Sequence, residues 1–282
     1  MHLFTVDVEE YFHAAALASA APVERWATME SRVERGVDSL LEIMDAHGAR
    51  GTFFTLGWVA ERQPWLVRRI ADAGHEVASH GWAHQRVTEM GPRELRADLR
   101  RSRRALEDAC GQAVLGFRAP NFSILRGWQW ALDVLLDEGY AYDSSLFPSR
   151  TRGLEDHPPR PHVVHRTGGD LLEVPLACAT VAGVDVPSGG GAWFRLLPYA
   201  LTRRALRQAE ERGAPGMFYI HPWELDSDQP RLPVSAAQRL RHYGGLGRTA
   251  ARLNRLLTEF RFTSIRDGLG VVDASSFAGS AR

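Results

Sequence analysis

Three acids and a histidine crowd the end of an apolar run near the start of the chain, where TVDVEEYFH brings together Asp7, Glu9, Glu10 and His13. In a strand, side chains at i and i+2 share a face, so Asp7 and Glu9 point one way and Glu10 the other. Two like charges on one face repel. A solvated edge tolerates that, and a metal site gains from it, because a cation reverses the local electrostatics. A second cluster supplies imidazoles: SHGWAHQ holds His80 and His84 as an H-x-x-x-H pair. Side chains four apart are neighbours on a helix but lie roughly 13 Å apart along a strand at about 3.3 Å per residue. Two ligands of one zinc ion must each approach it to about 2.1 Å, so the chain has to turn right after His80, which Gly81 permits. An acid with two histidines leaves a coordination position open, the mark of a catalytic zinc, and such an ion lowers the pKa of bound water towards about 7 and polarises a carbonyl. One carboxylate is then left over, so Glu9 can bind the metal while Asp7 takes the proton of the water.

The elements that must position these groups are read from glycine punctuation. Five amphipathic stretches end in a glycine, at Gly48, Gly74, Gly111, Gly139 and Gly213, and each is followed by a β-type run: GTFFTLG, HEVASHG, AVLGFR, YAYDSS and GMFYIHP. Glycine just past a helix takes the left-handed cap without a Cβ penalty. Pro64, Pro92 and Pro198 suit first helical turns. This alternation predicts a parallel α/β architecture, closed as a barrel or open as a doubly wound sheet, with TVDVE as its first strand. The stretches 145–170 and 180–197 read as irregular, and 248–265 as a last helix and the strand RFTSI. One domain over residues 1–282 is expected, with loop insertions at 145–197 and 226–247. Asp7 and Glu9, His80, Arg118, Asp143 and His221 all fall at strand C-termini, the rim where parallel barrels and sheets build active sites.

The 282 residues, 44% of them hydrophobic, suffice for one large core, and the balance of 34 basic against 34 acidic residues gives no general attraction to nucleic acid or anionic membrane. Cys110 and Cys178 have no metal-type spacing and read as core residues. No apolar run is long enough to span a bilayer, and the acids at 7, 9 and 10 interrupt any signal-peptide core, so a cytoplasmic location is expected. Oligomeric state is not legible.

In family order, TVDVEE, SHGWAH, FRAPNF, YDSS and YIHPWE resemble the successive motifs of the polysaccharide deacetylases, the nodulation-deacetylase homology domain of carbohydrate esterase family four. GGGAWFRLLPY, HPWELD and HYGGL resemble a branch found with bacterial exopolysaccharide and exosortase gene clusters. The resemblance implies a distorted (β/α) barrel of about seven parallel strands, a carbohydrate substrate and a divalent ion, most commonly zinc, that serves removal of N-acetyl groups from sugars. It makes Glu9, His80 and His84 ligands, Asp7 the general base paired with Arg118, His221 the general acid and Asp143 the acid that orients it. The usual first motif has two adjacent aspartates, whereas Val8 separates the acids here; Glu10 is therefore the alternative ligand, with Glu9 preferred because it shares a face with Asp7. Trp82 and Trp223 could stack on sugar rings or pack the rim, and Asn121 and Phe122 could shape the pocket or pack the barrel mouth. Two other readings remain: hydrolysis of another C–N bond, as in allantoinase, and a non-catalytic carbohydrate-binding barrel.

Overall fold

The glycine punctuation is realised residue by residue. In the computed structural model, which describes residues 1–147 and 157–273, Gly48, Gly74, Gly111, Gly139 and Gly213 have φ of 61°, 81°, 69°, 75° and 68°. The chain runs β1 (His2–Val8), α1 (Val33–Ala46), β2 (Thr52–Thr55), α2 (Gly57–Arg62), α3 (Pro64–Asp72), β3 (Glu76–Ser79), α4 (Pro92–Cys110) and β4 (Gly116–Phe117). It continues through α5 (Trp130–Asp137), β5 (Tyr142–Asp143), β6 (His162–Arg166), β7 (Gly169–Glu173), β8 (Cys178–Val181), β9 (Val184–Pro187), α6 (Gly191–Leu196) and α7 (Tyr199–Glu211). The last elements are β10 (Met217–Ile220), α8 (Ala236–Tyr243), α9 (Thr249–Glu259), β11 (Phe262–Thr263) and α10 (Ile265–Leu269). Pro64 and Pro92 open their helices, while Pro198 stands one residue earlier, as the N-cap of α7.

The main sheet has the order β10-β1-β2-β3-β4-β5-β7-β6, with β11 on β1, and every pairing is parallel except β6 with β7. The gap between β7 and β10 is bridged by the chain that leaves β7: Ala177 N–H donates to Met217 O (3.1 Å) and Tyr219 N–H to Gly189 O (2.8 Å). This is the distorted (β/α) barrel that the motifs implied. Its strands separate two apolar layers. Leu3, Phe54, Ala78, Tyr142, Leu172 and Met217 pack inside, whereas Phe4, Val6, Val8, Phe53, Phe117 and Phe218 pack outward with Val37, Leu40, Leu66 and Leu99 of the helices. Strands buried on both faces read as continuous apolar runs, as TFFT and MFYI do.

The structure corrects the irregular reading of 145–170 and 180–197. Residues 148–156 of that expected insertion lie outside the described residues, but 162–187 form two antiparallel hairpins, β6–β7 and β8–β9, and β7 is itself a parallel neighbour of β5. Their turns are very short, with Ala182 (φ 50°) and Gly183 (φ 77°) joining β8 to β9, the positive-φ pair that a two-residue hairpin turn demands. The 226–247 insertion carries α8. Cys110 and Cys178 are buried free thiols, and among the described residues no helix is long and apolar enough to cross a membrane.

The SGGG stretch closes the barrel because its backbone lies directly on β10. A Cβ on Gly190 would stand 1.8 Å from Tyr219 O, at a φ of 145°. Gly190→Ala is therefore expected to lower the unfolding free energy in urea titrations by about 3 kcal/mol or more. Gly168→Ala, whose Cβ meets nothing within 4 Å, should cost about 0.5 kcal/mol or less.

Candidate active site and metal centre

One level of pairing crosses the sheet: Val8 faces Thr55, Thr55 faces Ser79, Ser79 faces Phe117, Phe117 faces Asp143, and Asp143 faces Glu173. The next residues on these strands include Glu9, His80, Arg118 and Ser144. They have the inward parity of Asp7, and all sit at the C-terminal rim. His221 joins them from the end of β10, beyond inward-facing Met217 and Tyr219.

Ligand atoms of Glu9, His80 and His84 lie within 4.8 Å of one another. The turn that brings the two histidines together uses Gly81 (φ 75°) and His84 itself (φ 54°). His80 Nδ1 is 2.8 Å from Arg118 O; a carbonyl only accepts, so Nδ1 carries the proton and Nε2 keeps its lone pair for a metal. Burial holds this imidazole's pKa down at about 4, in the neutral, metal-binding form. Glu9 Oε1 accepts from Trp223 Nε1 (3.0 Å). Its buried Oε2 has no hydrogen bond, although His84 Nε2 is 2.9 Å away. Such close approach without hydrogen-bond alignment resembles two donors converging on a common ion, since tetrahedral ligands at about 2.0–2.1 Å stand roughly 3.3 Å apart. Burial raises the Glu9 carboxyl, but the charge of His84, then those of His221 and His80, outweigh it and leave it well below the usual carboxylate range. The donor set thus fits a divalent ion.

Glu10 faces the other way. Its carboxylate accepts from Ser31 Oγ and from the backbone N–H groups of Arg32 (2.8 Å) and Val33 (3.1 Å), satisfying orphan donors at the start of α1. Asp7 Oδ1 accepts from Arg118 at 2.6 Å, and the guanidinium, fully buried, also donates to Thr5 Oγ1 (3.0 Å) and Ser144 Oγ (2.9 Å) and lies 4.0 Å from the Phe54 ring centroid. His221 Nε2 is 4.0 Å from Asp7 Oδ2 and 3.6 Å from Glu9 Oε1, while its Nδ1 is 2.7 Å from Glu224 Oε1. Burial lowers the His221 pKa, but its hydrogen bond to Glu224 and the charges of Glu9, Glu224 and Asp7 prevail and raise it to about 9. Burial likewise raises the Glu224 carboxyl, but Arg195 and His221 bring it down to about 2.

The expected partnership of Asp143 with His221 is corrected. Asp143 belongs to the outward parity of Val8 and Phe117; it accepts from Ser145 Oγ (2.5 Å) and lies opposite Glu173, with burial raising both carboxyls, Asp143 to about 6. Its neighbour Ser144 is the residue that faces Arg118. Trp82 is turned into helix packing: Arg101 lies 3.4 Å over its ring, and its Nε1 donates to Glu61 (2.9 Å). Trp223 is 6% exposed, stacked between His221 (4.8 Å) and His242 (4.2 Å), and serves Glu9 rather than presenting an open face. Asn121 (φ 59°) and Phe122 (φ 52°) form the strained turn after Arg118, and the Phe122 ring meets Tyr219 at 5.3 Å. Sequence reasoning missed Glu224 and Arg195; the i,i+3 spacing in HPWE was the available signal.

Zinc titration calorimetry on the metal-stripped protein is expected to show one site, with affinity lost at least about 100-fold in His84→Ala and Glu9→Gln. Glu10→Gln should bind within about threefold of wild type and lose about 1 kcal/mol of stability through the weakened helix cap.

Residues 26–133 match the family model "Polysaccharide deacetylase", and residues 144–269 match "Domain of unknown function (DUF3473)". A chitooligosaccharide deacetylase of Bradyrhizobium is 32% identical over 96 residues, 34% of this chain and 42% of that protein. A peptidoglycan deacetylase of Helicobacter pylori is 31% identical over 115 residues, 40% of this chain and 38% of that one, so the chain spans less than half the length of these curated relatives. A Mycobacterium smegmatis structure assigned to the polysaccharide deacetylases superposes with a TM-score of 0.60 at 24% identity, covering 90% of each chain. PuuE allantoinase superposes with a TM-score of 0.58 at 17% identity, covering 93% of this chain and 85% of that one. These two likenesses speak to the fold alone. Over residues 26–133 the chain is thus similar to the polysaccharide deacetylase family.

Proposed function

We propose that the protein hydrolyses the N-acetyl amide of N-acetylated sugars in a bacterial polysaccharide or its precursor, using one divalent ion, zinc by preference, held by Glu9, His80 and His84. The observation that carries this reading is the meeting of that donor set, on one rim, with an ion-paired acid and a carboxylate-held histidine. When bound, the ion would lower the pKa of water and polarise the acetyl carbonyl. Asp7, clamped by Arg118 through Oδ1, has Oδ2 directed to the space shared with His221 and takes the proton of the attacking water. His221 Nε2 faces that space from β10 and supplies a proton to the departing sugar amine, which leaves with acetate as the second product. The same donors suit cobalt, nickel and manganese, so metal substitution should preserve part of the rate. The later motifs GGGAWFRLLPY, HPWELD and HYGGL support an exopolysaccharide as the substrate class.

A protein of this fold that has retired its site has no need to keep every member, and here acid, histidines and arginine are all retained at one rim. Acetate release from N-acetylglucosamine oligomers by the zinc-loaded protein is the expected activity, with no turnover of allantoin. Asp7→Asn should lower kcat roughly 100- to 10,000-fold while zinc affinity stays within about threefold. The acid role of His221 is lost as pH rises through its pKa, about 9 without the ion and lower beside a cation, so the alkaline limb of the kcat profile should fall below pH 9. Allantoin turnover without acetate release, or undiminished function in Asp7→Asn, would contradict the deacetylase reading.

A further inference from the structure

The segment matched to a domain of unknown function, 144–269, brings more to the rim than His221. Arg195, in α6, is fully buried although it is among the longest polar side chains. Its Nε donates to Glu224 Oε2, and its two terminal nitrogens donate to the carbonyls of Gly244 and Arg241 (3.0 Å for the latter), which pins the guanidinium from three sides. Glu224 thereby presents Oε1 to both the backbone N–H (3.1 Å) and Nδ1 (2.7 Å) of His221. A carboxylate accepts, so Nδ1 donates and Nε2 is the atom turned towards Asp7 and Glu9. The ring is also flanked. Trp223 stacks on it at 4.8 Å and 22°, and His242 stacks on Trp223 at 4.2 Å and 21°, held in turn by Gln229 Oε1 at 2.7 Å. Asp143, on the outward face of β5, has no place in this arrangement.

We propose that segment 144–269 is the acid arm of the hydrolase, in which Arg195 and Glu224 are positioning residues that hold the His221 imidazole against the leaving group. This rests on the deacetylase reading above. As the C–N bond breaks, its electron pair on nitrogen takes the proton from His221 Nε2, while Glu224 keeps the Nδ1 proton in place and so keeps the ring aimed. An amide in place of Glu224 has a single oxygen, which cannot serve both Arg195 and His221.

The arm is tested by a leaving group that needs no proton. Glu224→Gln is expected to lose roughly 100-fold in kcat on N-acetylglucosamine oligomers, with KM and zinc affinity within about threefold of wild type. Hydrolysis of 4-nitrophenyl acetate, whose phenolate departs unprotonated, should stay within about threefold of wild type. Should the single variant fail to fold because Arg195 is left unpaired, Arg195→Met combined with Glu224→Gln removes both buried charges and must show the same separation of amide from ester. Parallel loss on both substrates, or no loss on either, overturns the acid arm while wild-type acetate release still supports the hydrolase. A wild-type protein inactive on the sugar amide overturns both.

Discussion

The buried pair of Arg118 with Asp7 is the constraint around which the rest of the site is arranged. A guanidinium taken fully out of water costs several kcal/mol unless its donors are met, and here they are met by groups that the chain delivers from distant elements. Thr5 and Asp7 come from β1, Ser144 follows β5, and Met217 opens β10, so the single cation at the end of β4 ties four strands together at the mouth of the barrel. Two of those contacts cross between the early strands and the later segment. The same residue lends its carbonyl to His80 Nδ1 and so sets the tautomer that leaves Nε2 available. Removal of one side chain would therefore loosen the proposed general base and a proposed ligand together.

Two carboxylates to which different tasks are proposed, Asp7 and Glu9, are kept apart by what surrounds them. Asp7 is met by a permanent cation and turns its second oxygen towards His221. Glu9 is met by an indole N–H on one oxygen and by unaligned histidine on the other, an arrangement that leaves Oε2 free for the proposed metal. Glu224 plays a third part, ionised by Arg195 and turned towards His221. Adjacent Glu10 shows how far one residue of parity carries: it leaves the rim altogether and caps α1.

The architecture was legible where the signal is local. Left-handed glycine caps follow from sterics within one turn, and all five marked a helix end that the structure contains. The acid pair and the H-x-x-x-H spacing likewise pointed to groups that do converge. What escaped was what depends on partners far along the chain. β5 is only two residues long, so it offers no alternation from which to tell that Ser144 faces inward and Asp143 does not. The hairpins of 162–187 leave no clear mark in the sequence because their turns are so short. Trp82 and Trp223 stand at matching places beside site histidines, yet one meets Arg101 on an outer helix and the other meets Glu9, a difference set by packing alone.

The most direct measurement is anomalous scattering at the zinc edge from crystals of the metal-loaded protein. The account predicts a single strong peak at about 2.0–2.2 Å from Glu9, His80 and His84, with Asp7 beside it still held by Arg118 and His221 opposite. A peak bound through Glu10, a peak that leaves His84 unliganded, or none at this rim would contradict it.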